Sequence, residues 1–146
     1  MHKLDSMTIQ SHTLITLGVL LLALVTVESG GYFLTKVARG TVPTNLLQKN
    51  FYRAGHAHAA VLLILSFAIL SVIDHTSVSG PLEFVARNFV PAAAVLMPAG
   101  FFLSVIGTDP TKPNRLVWLL WSGAIVLTVG LIVDGVALIA AGAAEL

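Results

Sequence analysis

The sequence contains no cysteine, which excludes disulfide bonds, thiolate metal ligands and a cysteine nucleophile. Any metal site must therefore use His, Asp, Glu, Tyr or Met side chains. Charge is also scarce, since charged residues make up 10% of the chain and the formal net charge is +1. A chain with so little basic charge offers no surface that would attract nucleic acid, and we expect no nucleic-acid partner.

Apolar residues, by contrast, make up 56% of the chain, and the mean hydropathy of +0.90 is too high for a soluble domain of this length. A bilayer-spanning helix needs about 20 predominantly apolar residues. Four runs meet or approach that length, at residues 12–35, 52–73, 89–106 and 116–141. Because an isolated spanning segment must satisfy its own backbone hydrogen bonds, we expect an all-α integral membrane protein, a single domain of four transmembrane helices in contact with lipid. Residues 81–88 form either a short interfacial helix or a loop.

The distribution of lysine and arginine predicts the orientation in the membrane. Six of these residues lie in the first and third connections and two lie on the other side: Lys36, Arg39, Lys49, Arg53, Lys112 and Arg115 against Lys3 and Arg87. Positive residues favour the cytoplasmic side. We therefore expect both termini on the non-cytoplasmic side of a bacterial inner (plasma) membrane, with the start of the second span near the cytoplasm.

An unusual group of polar residues opens the second span. Arg53, His56 and His58 stand directly before a long apolar run. Ionisable side chains within a membrane helix are costly unless they have a partner, so they suggest a function or a ligand. His56 and His58 are two positions apart, which places them about 200° apart around a helix, so they cannot chelate one metal ion together.

A single histidine can instead bind a haem iron axially while the other contacts a neighbouring helix. We favour His58 as the ligand, because Ala54, Gly55 and Leu62 on its face leave room for a flat macrocycle; His56 is the alternative. In a structural interpretation, both histidines only form hydrogen bonds between helices or face the lipid headgroups.

Polar residues of the spans fall into two layers when their depth is estimated from a rise of about 1.5 Å per residue. The inner layer contains Glu28, Arg53, His56, His58 and Arg115; the outer layer contains His12, Asp74, His75 and Asp134. Glu28 lies at the depth of His58 and is expected to contact a ligating histidine or to form an interhelical hydrogen bond. Arg53 and Arg115, with Lys112, suit haem propionates. Asp134 is expected to pair with His12 or to join an outer polar network.

Several short motifs together are similar to the styrene oxide isomerase family. They are Ser11-His12-Thr13-Leu14, Gly30-Gly31, Arg53-Ala54-Gly55-His56-Ala57-His58, Gly100-Phe101-Phe102-Leu103 and Pro113-Asn114-Arg115. The resemblance implies a small four-helix membrane protein that forms a homotrimer and holds haem b between subunits. It also implies that ferric iron acts as a Lewis acid on an epoxide, a small apolar substrate.

By the same resemblance, the axial ligand falls on His58 without gaps, or on His56 if the Arg-Ala pair is matched. Two substrate residues of the family differ in this chain, because Ile64 or an adjacent Leu stands where the family has Asn, and Phe102 stands where it has Tyr. Phe102 therefore falls at the cofactor site without the polar group that would orient an epoxide oxygen. Haem binding is better supported than isomerase activity.

The sequence thus leaves three hypotheses. The preferred one is a haem b membrane protein, active in isomerase-like chemistry, electron transfer or sensing. The alternative is a cofactor-free accessory subunit of a larger membrane complex. The third is a small proton or solute carrier that uses Glu28, the two histidines and Asp134 as a relay.

Overall fold

The structure is a computed structural model that describes residues 9–146, and within this range it contains four α-helices and no strands. The helices are α1 (Ser11–Ala38), α2 (Leu46–Ile73), α3 (Pro81–Leu103) and α4 (Val117–Ala143). Each is long and apolar enough to cross a membrane. The predicted all-α integral membrane protein with four transmembrane helices is confirmed at this level.

Two helices begin earlier than the hydropathy pattern predicts. Helix α2 starts at Leu46 rather than at 52, because Asn45 and Gln48 form a capping box in which each side chain accepts from the other residue's backbone N–H. Helix α3 starts at Pro81, so residues 81–88 are neither a loop nor a separate helix. Proline suits this first position because its missing N–H would have no helical partner there.

Consecutive helices are antiparallel neighbours, and α2 is the central helix. Gly31 of α1 contacts His56 of α2, whereas Gln10 and Thr13 at the other end of α1 reach Asp74. Helix α3 packs on a second side of α2 and α4 packs mainly on α3, with a small contact to α2. Within residues 9–146, the backbone of α1 approaches only α2.

Glycines bring α3 and α4 into close contact. A Cβ added to Gly100 would overlap the backbone of Leu120, one added to Gly123 would lie 2.6 Å from Met97 Cγ, and one added to Gly130 would lie 3.0 Å from Phe89 Cβ. Without water between helices in the bilayer, such close packing is a main source of attraction between membrane helices. This line of glycines fixes the spacing of α3 and α4.

At the end of the bundle where α1 begins and α4 ends, which we call the termini end, an arginine joins three helices. Arg87 Nη1 lies 2.5 Å from Asp74 Oδ1 and donates to Thr13 Oγ1, while its Nε donates to Glu83 Oε1. The backbone N–H of Gln10 donates to the other oxygen of Asp74. The Asp74 side chain is 4% exposed and the Arg87 side chain 11% exposed, and this network ties α1, α2 and α3 together.

The opposite end, which we call the two-loop end, is fastened by amides. Asn45 donates to Asp109 Oδ1 and to the carbonyl of Pro110, and Gln48 donates to the carbonyls of Val105 and Gly107. The connection between α3 and α4 is therefore held against the start of α2. These bonds satisfy the backbone of a loop that contains a left-handed Asp109, with φ of 52°.

Replacing Gly100 by alanine is expected to push α4 away from α3 and to lower the free energy of unfolding by about 1–3 kcal/mol, the usual cost of overpacking. Thermal unfolding in detergent measures the effect. Gly135→Ala is the matched control, because it lies in α4 with nothing within 4 Å of an added Cβ. Equal melting temperatures for the two variants would contradict the close contact at Gly100.

The network at the termini end predicts a loss of stability in acid. Burial raises the pKa of the Asp74 carboxyl, but the Gln10 N–H, the Arg87 guanidinium and the Thr13 hydroxyl outweigh burial, and the net pKa lies below its usual value. A carboxyl whose pKa is lower in the folded state stabilises the protein above its unfolded-state pKa. That contribution is lost as the pH falls through the folded-state pKa.

Asp74→Asn should therefore lower the free energy of unfolding at neutral pH by about 3 kcal/mol, because Arg87 loses a buried partner. Thermal unfolding should show a correspondingly lower melting temperature. It should also flatten the decline of stability in acid. Glu145→Gln, which alters an exposed carboxylate, serves as the control. If Asp74→Asn keeps the acid dependence of the unsubstituted protein, the assignment to Asp74 is wrong.

Candidate functional site

His58 carries the most informative geometry among the predicted site residues. Its Nδ1 lies 2.8 Å from the carbonyl oxygen of Ala54, one turn earlier in α2. A carbonyl can only accept, so Nδ1 carries a proton, and in the neutral ring Nε2 is then the nitrogen with the lone pair. The ring is half-buried and packs against Phe101 of α3, with the centroids 4.9 Å apart. His58 is thus held in the form that can bind a metal through Nε2.

His56 faces a different neighbour. Its ring lies against α1, where a Cβ added to Gly30 would be 3.4 Å from His56 Nδ1 and one added to Gly31 would be 3.5 Å from His56 Cε1. The two histidines therefore point to different helices, His56 to α1 and His58 to α3. The Gly30-Gly31 pair provides the space that the His56 ring occupies.

Aromatic rings fill the space between α1, α2 and α3 around the histidines. Tyr52 stacks on Phe102 at 5.6 Å and meets Phe33 edge-on at 5.5 Å, and Phe51 meets Phe101 edge-on at 5.7 Å. Gly55 allows this packing, because an added Cβ would lie 2.9 Å from Phe101 Cβ and from Phe102 Cε2. Phe102 packs against Tyr52, and its neighbour Phe101 contacts His58. The place of Phe102 at a cofactor stays a prediction.

The structure does not bring Glu28 or Arg53 to His58. Glu28 is exposed on α1, and α1 lies on the His56 side of α2. Arg53 is exposed and, five residues before His58, stands about 140° away from it around the helix. The contact between Gly31 and His56 places Glu28 and His58 at similar depths, as predicted. The two side chains lie on different sides of α2, however, so they are not neighbours within one chain.

Other predicted positions lie on exposed surfaces. Arg115 is exposed just before α4, and Ile64 is 59% exposed. Ile64 belongs to a side of α2 that no helix of residues 9–146 covers, which we call the open face of α2; its members are Ala57, Val61, Ile64 and Ala68. His58 borders this open face, since it stands about 60° from Val61 around the helix.

The outer layer differs from its prediction. Asp74 binds Arg87, which the sequence had not placed in this layer, whereas His12 and His75 are exposed. Asp134 is buried, and within residues 9–146 neither of its carboxylate oxygens has a hydrogen-bond partner. The predicted pairing of Asp134 with His12 is therefore wrong, in keeping with the absence of contact between the α1 and α4 backbones over the same residues.

Sequence reasoning missed two partners of His58. The carbonyl of Ala54 stands four residues before it, a spacing at which a side chain can reach back along its own helix, so this partner was open to prediction. The second partner, Phe101, could not be predicted, because no local sequence pattern indicates which aromatic ring of α3 faces His58.

No protein-family model, curated protein or solved structure matches this chain. The resemblance to the styrene oxide isomerase family and the assignments that depend on it stay predictions.

Gly55→Ala is expected to displace Phe101 and Phe102 and so to disturb the surroundings of the His58 ring. Overpacking of this kind costs about 1–3 kcal/mol, and thermal unfolding checks it. Gly18→Ala is the control, because an added Cβ at Gly18 meets nothing within 4 Å. A Gly55→Ala protein as stable as the control would contradict the packing described here.

Proposed function

We propose that this chain is a haem b-binding integral membrane protein in which His58 supplies the axial ligand to iron. One observation carries the proposal: the hydrogen bond from His58 Nδ1 to the Ala54 carbonyl leaves Nε2 free. A backbone carbonyl that orients the non-ligating nitrogen is the usual accompaniment of a metal-bound histidine. In a membrane helix, the same bond satisfies one polar group and leaves the other for a ligand.

The surroundings of the two rings favour His58 over His56. His58 is half-buried at the border of the open face of α2, where Ala57 and Val61 leave a flat ligand room to approach. Phe101 supports the other side of the ring. His56 packs against Gly30 and Gly31, so its ring already lies in a close interhelical contact.

Haem iron supplies Lewis-acid or redox chemistry when bound. The residues of this chain would hold the haem and shield it from water. Ala54 fixes the tautomer of His58, Phe101 limits rotation of its ring, and the aromatic packing around Gly55 excludes water from the α2–α3 contact. Arg53 and Arg115, both exposed, are available for the propionates.

The proposal includes a homotrimer, as the resemblance implies, with both termini on the non-cytoplasmic side of a bacterial inner membrane. Several features support an assembly: His58 is only half-buried within one chain, the open face of α2 is uncovered, and Glu28 is exposed at the depth of His58. The proposal assigns no reaction. Phe102 packs on Tyr52 and Ile64 lies on the open face, so neither provides a polar group that would orient an epoxide.

Haem loading of the purified protein tests the proposal. We expect a Soret band and a b-type pyridine haemochrome from protein made in haem-replete cells. His58→Ala should lose most of the bound haem because iron loses its protein ligand, whereas His56→Ala should retain it. Imidazole added to His58→Ala should restore part of the Soret band by occupying the vacated position.

A colourless, folded preparation of the unsubstituted protein would contradict haem binding and favour a cofactor-free accessory subunit. Loss of haem in His56→Ala with retention in His58→Ala would show that His56, and not His58, is the iron ligand. Circular dichroism of each variant separates loss of haem from loss of fold.

A further inference from the structure

Asp134 is a buried acidic residue that takes no part in the proposed haem site. Its relative exposure is 2%, and it is the only charged residue of α4. Both of its carboxylate oxygens are sealed from solvent and lack a hydrogen-bond partner within residues 9–146. Buried polar groups in proteins are nearly always hydrogen-bonded, so this carboxyl needs an explanation.

The location of Asp134 follows from the contacts of the preceding turn of α4. Gly130 lies against Phe89 and Val90 of α3. Asp134 lies one turn after Gly130 in α4, and Ala86 lies one turn before Val90 in α3. Because the two helices are antiparallel, Asp134 and Ala86 are at the same level. Ala86 and Val90 are fully buried, so Asp134 faces an apolar part of the α3–α4 interface.

No cation in the described part of the chain pairs with Asp134. On α3, Arg87 follows Ala86 directly, but its guanidinium binds Asp74 and Glu83. These two carboxylates are the acidic groups nearest in register, and that arginine binds both, so it is not available to Asp134. At the end of α2, His75 is exposed, and α1 does not contact α4.

An ionised carboxylate in this position would have neither water, nor a donor, nor a counter-charge. Such a charge is far more costly than a neutral carboxylic acid of the same shape. The neutral form is the one that the close α3–α4 packing can accommodate. Ionisation would favour any arrangement in which α4 moves away from α3 and water reaches the carboxyl.

We propose that Asp134 is a proton-binding site within the α3–α4 interface. Release of its proton is coupled to separation from α3 of the part of α4 that follows Gly130, which we call the outer half of α4. This inference goes beyond the haem proposal and does not depend on it. The ligand is the proton, and the moving element is the part of α4 that follows Gly130.

Infrared spectroscopy tests the first half. In the folded protein at mildly acidic pH, we expect a carboxylic-acid C=O band that shifts when aspartate is labelled with ¹³C and disappears in Asp134→Asn. The isotope shift is measured on the unsubstituted protein, so the test remains available even if the variant misfolds. Absence of an aspartic-acid band at mildly acidic pH would overturn the proposal, because it would mean that Asp134 binds no proton there.

Hydrogen exchange tests the coupling. Raising the pH should accelerate amide exchange in the outer half of α4 severalfold more in the unsubstituted protein than in Asp134→Asn or Asp134→Leu at the same pH. Comparison at equal pH removes the ordinary base catalysis of exchange. The inner half of α4, around Gly123, is the internal reference and should respond alike in all three proteins. If the outer half exchanges equally in all three, the coupling is refuted even when the acid band is present.

Discussion

The structure depends on one constraint: within the bilayer, polar groups must find partners in the chain itself, because no water is there to serve them. The two ends of the bundle meet this constraint in different ways. At the termini end, Arg87 joins Asp74, Glu83 and Thr13. At the two-loop end, Asn45 and Gln48 bond to the connection between α3 and α4. Between these ends the helices meet mainly through apolar and small residues, and the two histidines of α2 and the buried Asp134 are the departures that suggest chemistry.

Helix α2 links the fold to the candidate site because it contacts every other helix. Its position between α1 and α3 directs the two histidines apart, His56 toward the Gly30-Gly31 pair and His58 toward Phe101. Gly55 lets the aromatic residues of α3 approach closely enough to support the His58 ring. The site is therefore a consequence of how α2 packs, and its remaining side, the open face, is available to a ligand or to another subunit.

The sequence predicted the number and type of the helices, because long apolar runs report transmembrane helices directly. It also predicted depth: Glu28 and His58 are at similar levels, since the rise per residue is constant. It could not predict direction around each helix axis, which depends on packing, so it did not show that Glu28 lies on the His56 side of α2 or that Phe102 stacks on Tyr52. The early start of α2 was present in the sequence as the Asn45 and Gln48 capping box. The contact of Arg87 with both Asp74 and Thr13 was not, because it requires three helices to meet.

The central claim is that His58 presents Nε2 to a haem iron. Resonance Raman spectroscopy of the reduced protein observes the bond between iron and an axial imidazole. We predict an iron–imidazole stretching band that shifts when histidine is labelled with ¹⁵N, vanishes in His58→Gly and returns when imidazole is added. A haem-loaded His58→Gly protein with an unchanged band, in the absence of imidazole, would contradict it.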